Sequence, residues 1–275
     1  MSLRSDPSTF NFQLSTLNPI ISHIRIYPIK SLDGIELRSV EVGIRSLLHD
    51  REFAMLAEDG RFVNGKRTGK VNQLKASYDL SDYRVSFSER DKGEETSFHL
   101  INDKEKIETW LSDFFGLKIS FLHNREGRLM DIPDRSCVTI LSTGSLEYLS
   151  ENITGHSVDD LRLRFRASLE IAGVPPFWEE KLADSDGEPI RYRVGDVRAS
   201  GISIRARCNV PPQDPFTGEL DKTFIKKMIV ARDKNVPEWS MVRELHSLYH
   251  LSIDCFIPDS EKGKFINVGD EVEIL

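Results

Sequence analysis

At 275 residues, 39% hydrophobic and 29% charged, the chain can bury a sizeable core as one large domain or two smaller ones, and its composition excludes a disordered protein. A formal charge of −7 speaks against a nucleic-acid partner. The three cysteines, Cys137, Cys208 and Cys255, are odd in number and far apart, so they spell neither a disulfide framework nor a CxxC zinc site, and a reducing, cytoplasmic setting is expected.

Met1 to Pro19 is rich in Ser, Thr and Asn and has no continuous apolar run, which predicts a loose arm and neither a signal peptide nor a membrane anchor. Ile20 to Ile29 alternates apolar and polar residues as a strand does, interrupted by Pro28. Lys30-Ser31 and the Asp33-Gly34 turn lead into a second strand, Glu36 to Val42. A third strand, Glu52 to Ala57, turns at Asp59-Gly60 and returns as Arg61 to Val63. Shorter strands are expected at 74–80, 83–88 and 96–100.

Asp103 to Phe115 is the first helix: Ile107, Trp110, Leu111, Phe114 and Phe115 share one face. Asn102 with Glu105 offers a capping box, and Gly116 a stop. After a strand at 118–123, charge, Gly and Pro gather between Arg125 and Arg135. A domain boundary is expected there, giving an arm (1–19), a first domain (20–125) and a second (126–275). In the second, Cys137 to Leu141 reads as a strand, and Ser142-Thr143-Gly144 opens a short helix. Leu163 to Gly173 reads as a strand, as do 190–194 and 197–204, joined by Gly195-Asp196. Helices are expected at 223–231 and 240–248. The whole reads as β-rich α+β, barrel-like, without the rhythm of a doubly wound sheet.

The chemistry concentrates in the loop from Arg205 to Glu219. It presents Cys208 beside Arg205 and Arg207, whose charge favours the thiolate that attacks electrophiles or binds soft metals. Three prolines and Asp214-Pro215-Phe216-Thr217-Gly218 make that loop stiff. Arg61 to Lys75 holds five basic residues and no acid; it reads as a solvated loop or the border of a pocket for an anionic cofactor. His246 and His250, four apart, lack further ligands for a zinc site. Lys30, Ser31, Arg51 and Arg166 each stand near an element end. Arginine forks, a lysine charge and a serine hydroxyl together suit a phosphate group.

Tyr27-Pro28-Ile29-Lys30-Ser31, Asp50-Arg51-Glu52-Phe53, Phe165-Arg166 and the Cys-x5-Asp-Pro-x-Thr-Gly pattern from Cys208 to Gly218 resemble, in order and spacing, the MOSC domain family. The resemblance is strongest to members with an additional N-terminal β-barrel domain, the amidoxime-reducing branch among them. It implies an N-terminal β-barrel domain followed by a C-terminal MOSC β-barrel with short helices. It further implies a molybdenum cofactor (Mo-molybdopterin) whose metal is bound by Cys208, with cofactor contacts from Lys30, Ser31, Arg51, Arg166 and Arg207 and from the hydroxyls of Ser142, Thr143 and Ser145. The activity implied is reduction of N-hydroxylated small molecules, such as amidoximes and hydroxylaminopurines, by oxygen-atom abstraction at the metal; the alternative is a non-catalytic carrier of cofactor or sulfur. Four positions depart from the family: Ala206 stands where relatives often carry Ser, Ala167-Ser168 where they carry Pro-Asn, and Lys66 where they carry Arg. Nothing here resembles a pyridoxal phosphate domain. The chain also has neither an iron–sulfur cysteine cluster nor a dinucleotide fingerprint, so a separate ferredoxin- or cytochrome-type donor is expected to supply electrons. Neither nucleic acid nor membrane is expected as a partner.

Overall fold

The structure, a computed structural model, describes residues 18–126, 129–130, 138–183 and 189–275. The expected arm falls almost wholly outside these residues, and so does Cys137.

The first half carries β1 (Ile20–Ile26), β2 (Ile35–Leu37), β3 (Ser39–Glu41), β4 (Phe53–Ala57), β5 (Leu74–Asp79), β6 (Arg84–Glu89), β7 (Thr96–His99), α1 (Lys104–Phe115) and β8 (Ile119–His123). Then follow β9 (Val138–Ser142), α2 (Thr143–Asn152), α3 (Val158–Phe165), β10 (Leu169–Ala172), β11 (Ile190–Val194), β12 (Val197–Ala206), α4 (Phe224–Lys234), β13 (His250–Phe256), β14 (Phe265–Asn267) and β15 (Val272–Ile274). The β-rich α+β expectation is borne out.

One sheet of eight strands runs β15-β11-β12-β13-β9-β10-β1-β2. It curls until β1 meets the approach to β15: Ile20 bridges Glu271, and the Val272 N–H donates to the Pro19 carbonyl at 2.8 Å. Inside the curl lie Ile21, Ile24, Ile140, Val194, Val197, Ile253 and Cys255, all at most 1% exposed. The β9–β10 pair is parallel, and α2 and α3 make its crossover. With α4 they form a second apolar layer of Leu146, Leu149, Leu161, Phe165, Phe224 and Met228. A third core joins β4–β8 to α1 through Phe53, Met55, Phe87, Phe121, Ile107 and Leu111. The division expected at residue 125 falls between β8 and β9, but β1 crosses it, pairing with β10. Among the described residues no helix is long and apolar enough to cross a membrane.

Several elements differ from expectation for physical reasons. The strand expected at 163–173 is the end of α3 followed by β10. Ser157 caps α3 by accepting from the Asp160 N–H, and Arg166 ends it in the left-handed region at φ 53°. At 240–248 there is one 3-10 turn, Val242–Glu244, so His246 and His250 share no helix. The strand expected at 36–42 is split into β2 and β3. In α1 the Asn102–Glu105 box does not form. Asp103 precedes the helix and its carboxylate accepts from the His99 N–H at 2.9 Å, while Gly116 stops the helix as expected.

Candidate functional site

Strand β12 pairs with β13 as far as Ala206–His250, and the Arg207 N–H donates to the Tyr249 carbonyl at 3.1 Å. Beyond that point the chain leaves the sheet, and Cys208 is exposed. Its carbonyl accepts from the Tyr249 hydroxyl at 3.2 Å, which fixes the backbone and leaves the thiol outside that bond. Arg207 donates to the carbonyls of Phe165 and Leu251 and to Ser252 Oγ at 3.2 Å, and its guanidinium stands 5.1 Å over the Phe165 ring. Burial and then the charge of Arg205 pull Arg207 down to about 10. Arg205 is paired with Asp254.

The loop after Cys208 is held at several points. Arg164 donates to the carbonyls of Pro211 (3.1 Å) and Gln213 (2.6 Å), with its Nε on Asp160. The Gln213 amide donates to the Gly65 carbonyl at 2.7 Å and accepts from Asn72, and Gln73 donates to the Thr217 carbonyl. Asp214 turns the chain by accepting from the N–H groups of Phe216 and Thr217. Burial opposes its ionisation, but those N–H bonds win and hold it below the usual carboxylate range. Gly218, at φ 78°, lies so near Gly69 that a Cβ on it would meet the Gly69 carbonyl at 2.3 Å. The basic stretch borders the site through Gly65, Gly69, Val71 and Asn72, and two of its charges are committed elsewhere. Arg67 is paired with Asp59, and Lys70 donates to the Phe114 carbonyl.

Between this loop, the β1–β2 connection and the end of α3 lies a narrow cleft of about 40 Å³. Ser31 and Arg166 line it together with Tyr27, Asp33, Val210, Gln213 and Phe216. Arg166 donates from Nη2 to the Leu32 carbonyl at 2.7 Å and rides 4.0 Å over the Tyr27 ring. Arg51 lies 4.6 Å over the same ring, pairs with Asp50 and reaches Ser168 Oγ at 3.4 Å. Asp50 is fully buried; burial raises it, and the Arg51 charge opposes that rise. Lys30 is 8% exposed, with its ammonium 4.3 Å over the Phe62 ring. Ser31 (φ 73°), Arg51 (φ 52°) and Arg166 (φ 53°) are all left-handed. Each such non-glycine residue costs about 1–3 kcal/mol, a strain that gathers where a site demands it.

The expected hydroxyl donors are placed differently. Ser142 and Ser145 are fully buried. Ser145 Oγ meets Ser142 Oγ at 2.7 Å, donates to Glu179 and accepts from the Phe177 N–H. Thr143 donates to Glu170 at 2.8 Å. None of the three lines the cleft. Sequence reasoning passed over Tyr27, Asp50, Arg164 and Gln213, although all four stand inside the motifs or beside them.

Among the described residues no group of three or more His, Cys, Asp or Glu side chains could hold a metal alone. Cys208 can therefore give one soft ligand to a metal that brings its other ligands with it, while the cleft offers cationic and hydroxyl donors to an anion.

Residues 18–96 match the family model of the MOSC N-terminal beta barrel domain, which bears out the resemblance. Over 86% of its length the chain is 23% identical to a molybdenum cofactor sulfurase from Homo sapiens, and over 98% it is 22% identical to one from Caenorhabditis briggsae. It spans only about a third of these relatives, 31% and 38%. It is 24% identical to mitochondrial amidoxime reducing component 2 from Bos taurus, with 74% of this chain and 68% of that protein covered.

Proposed function

We propose that this chain, with a MOSC N-terminal beta barrel domain at residues 18–96, binds a molybdenum cofactor through Cys208 and reduces N-hydroxylated small molecules such as amidoximes and hydroxylaminopurines. The observation that carries the reading is the exposed Cys208 thiol on a loop fastened beside the Arg166–Ser31 cleft. The residues fit such a group: one soft thiolate, and cationic donors suited to a phosphate. When bound, molybdenum supplies two-electron oxygen-atom chemistry. Cys208 Sγ would ligate the metal as its soft donor. Arg166 and Ser31 would bind the phosphate end. Arg51, fixed by Asp50, adds charge beside them, and Lys30 adds a further cation from the same loop.

Arg166→Ala should weaken cofactor retention by about 1.5–3 kcal/mol, the loss of a charge-assisted hydrogen bond, and Lys30→Ala should act in the same direction. Arg51→Ala also strips the partner from buried Asp50, so it should lower stability as well as retention. Pterin content and urea midpoints, measured on the same preparations, separate the two effects. Unchanged retention in Arg166→Ala would remove the phosphate clamp from this reading.

Turnover should need a separate electron donor. With NAD(P)H and an amidoxime, cofactor-loaded protein alone should be inactive; adding a ferredoxin- or cytochrome-type redox chain, or reduced viologen, should start turnover. Sustained NAD(P)H-driven reduction by the chain alone would reject this.

A second reading, a carrier that hands cofactor or sulfur to another enzyme, is favoured by the relatives named as molybdenum cofactor sulfurases and by the exposure of Cys208. Loaded protein that transfers its cofactor to an apo-molybdoenzyme yet reduces no amidoxime with viologen would establish the carrier.

A further inference from the structure

Tyr27 leads from β1 into the cleft and is 2% exposed. Its backbone is held on both sides. Its N–H donates to Asp50 at 2.8 Å, and its carbonyl accepts from the Arg51 N–H at 2.9 Å. Its ring carries two guanidiniums, Arg166 and Arg51. Gly34 keeps the ring's place, because a Cβ there would come within 2.8 Å of two ring carbons.

The hydroxyl of this ring has no hydrogen-bond partner among the described residues. A buried phenol normally finds one, since leaving it unmade costs about 1–3 kcal/mol. The charged part of the lining supplies donors rather than a free carboxylate. Arg166 bonds Leu32 through Nη2 alone, and Ser31 adds a hydroxyl. Asp33, the acid in the lining, is taken through both oxygens by Arg90 at 2.6 and 2.8 Å. Asp50 is committed to Arg51 and to the Tyr27 N–H. Arg51 thus has a counter-charge in Asp50, whereas Arg166 bonds only a carbonyl among the described residues and is the cation that an anion would meet. The cleft's 40 Å³ exceeds the roughly 10–15 Å³ that one water needs and suits a single tetrahedral oxyanion, with any larger body lying outside.

We propose that Tyr27 is a ligand-binding residue: its Oη donates a hydrogen bond to a phosphate-type oxyanion held between Arg166 and Ser31, while its ring holds the Arg166 and Arg51 guanidiniums in place. The oxyanion is inorganic phosphate or a phosphomonoester; only the latter source rests on the cofactor reading above.

The test uses the full chain. Inorganic phosphate is titrated calorimetrically into the parent, Tyr27→Phe and Tyr27→Leu, and each is melted without phosphate. Pterin content is measured on protein expressed with molybdate. Tyr27→Phe keeps the ring and should bind phosphate about tenfold more weakly, as loss of one hydrogen bond implies. Its melting temperature should be unchanged or higher, because the hydroxyl removed satisfies nothing in the empty protein. Tyr27→Leu should bind more weakly still. Pterin content falling with phosphate affinity supports the phosphomonoester source. Phosphate affinity falling at constant pterin content supports the free-phosphate source, and the cofactor reading then loses this anchor while Tyr27 keeps its role. A parent that binds no phosphate, a Tyr27→Phe affinity equal to the parent's, or a Tyr27→Phe melting point several degrees lower would overturn the proposal.

Discussion

Protein carrying Cys208→Ser should leave molybdate-supplemented expression almost free of molybdenum, with its fold intact. The expectation follows from position and chemistry together. Cys208 is exposed beyond the last pairing of β12, so the substitution disturbs no core. A hydroxyl is a poor stand-in for a soft thiolate. Loss of a residue that merely supports a metal ligand typically costs about 10–100-fold in affinity, so loss of the ligand itself should cost more. Cys137→Ser is the useful control, since Cys255 lies fully buried in β13 and its replacement brings a packing cost. Metal analysis with circular dichroism decides the matter. Parent-like molybdenum in folded Cys208→Ser protein would end the ligand assignment.

Arg232→Ala should be the most damaging substitution for stability. Arg232 is fully buried, pairs with Glu180, reaches the Asn235 carbonyl and Ser240 Oγ at 3.3 Å, and sits 3.5 Å over the Phe177 ring. Burial lowers its affinity for a proton and raises that of Glu180. Beside Glu180, burial and then the Glu180 charge push Glu179 up to about 7. Removing the arginine leaves an uncompensated acid in the interior, a cost of about 3–5 kcal/mol, against a total of about 5–15 kcal/mol for an ordinary domain. Urea unfolding measures it. The double variant Arg232→Met/Glu180→Leu should regain much of the loss, because no lone charge then remains. A single variant within 1 kcal/mol of the parent would show that water reaches the pair.

What the sequence disclosed, and what it hid, follows from the range of the forces involved. Helix α1 was legible because its apolar stripe and Gly116 act within a few residues of each other. Strand β12 and the turn at Gly195 were legible for the same reason. The segment Arg164-Phe165-Arg166 alternates like a strand, yet the cap that makes it helical, Ser157 with Asp160, lay in view upstream. Cys208, Ser31, Arg51 and Arg166 could be singled out by residue type and motif. The left-handed backbones of Ser31, Arg51 and Arg166 could not, because none is a glycine or asparagine and long-range contacts impose the conformation. The serines at 142 and 145 carry the same chemistry as Ser31, but only the fold shows that Glu179 has claimed Ser145. Tyr27 reads locally as one more aromatic at a strand end. Its orphaned hydroxyl shows only in the fold, where Arg166 and Arg51 lie over the ring.

The pairing of β1 with β10, and the curl that brings Ile20 to Glu271, set a timetable for the growing chain. Tyr27 leaves the ribosome well before its cleft partners Arg166 and Phe216. Contacts so distant in sequence carry a large closure entropy and form slowly. No chain that stops short of Phe216 therefore displays the whole cleft, and Cys208 itself is not yet translated when the β4–β8 core can first assemble. Loading with any ligand of this site thus waits until the segment through Phe216 has been made, and β1 stays unpaired at one edge until β10 arrives to receive it.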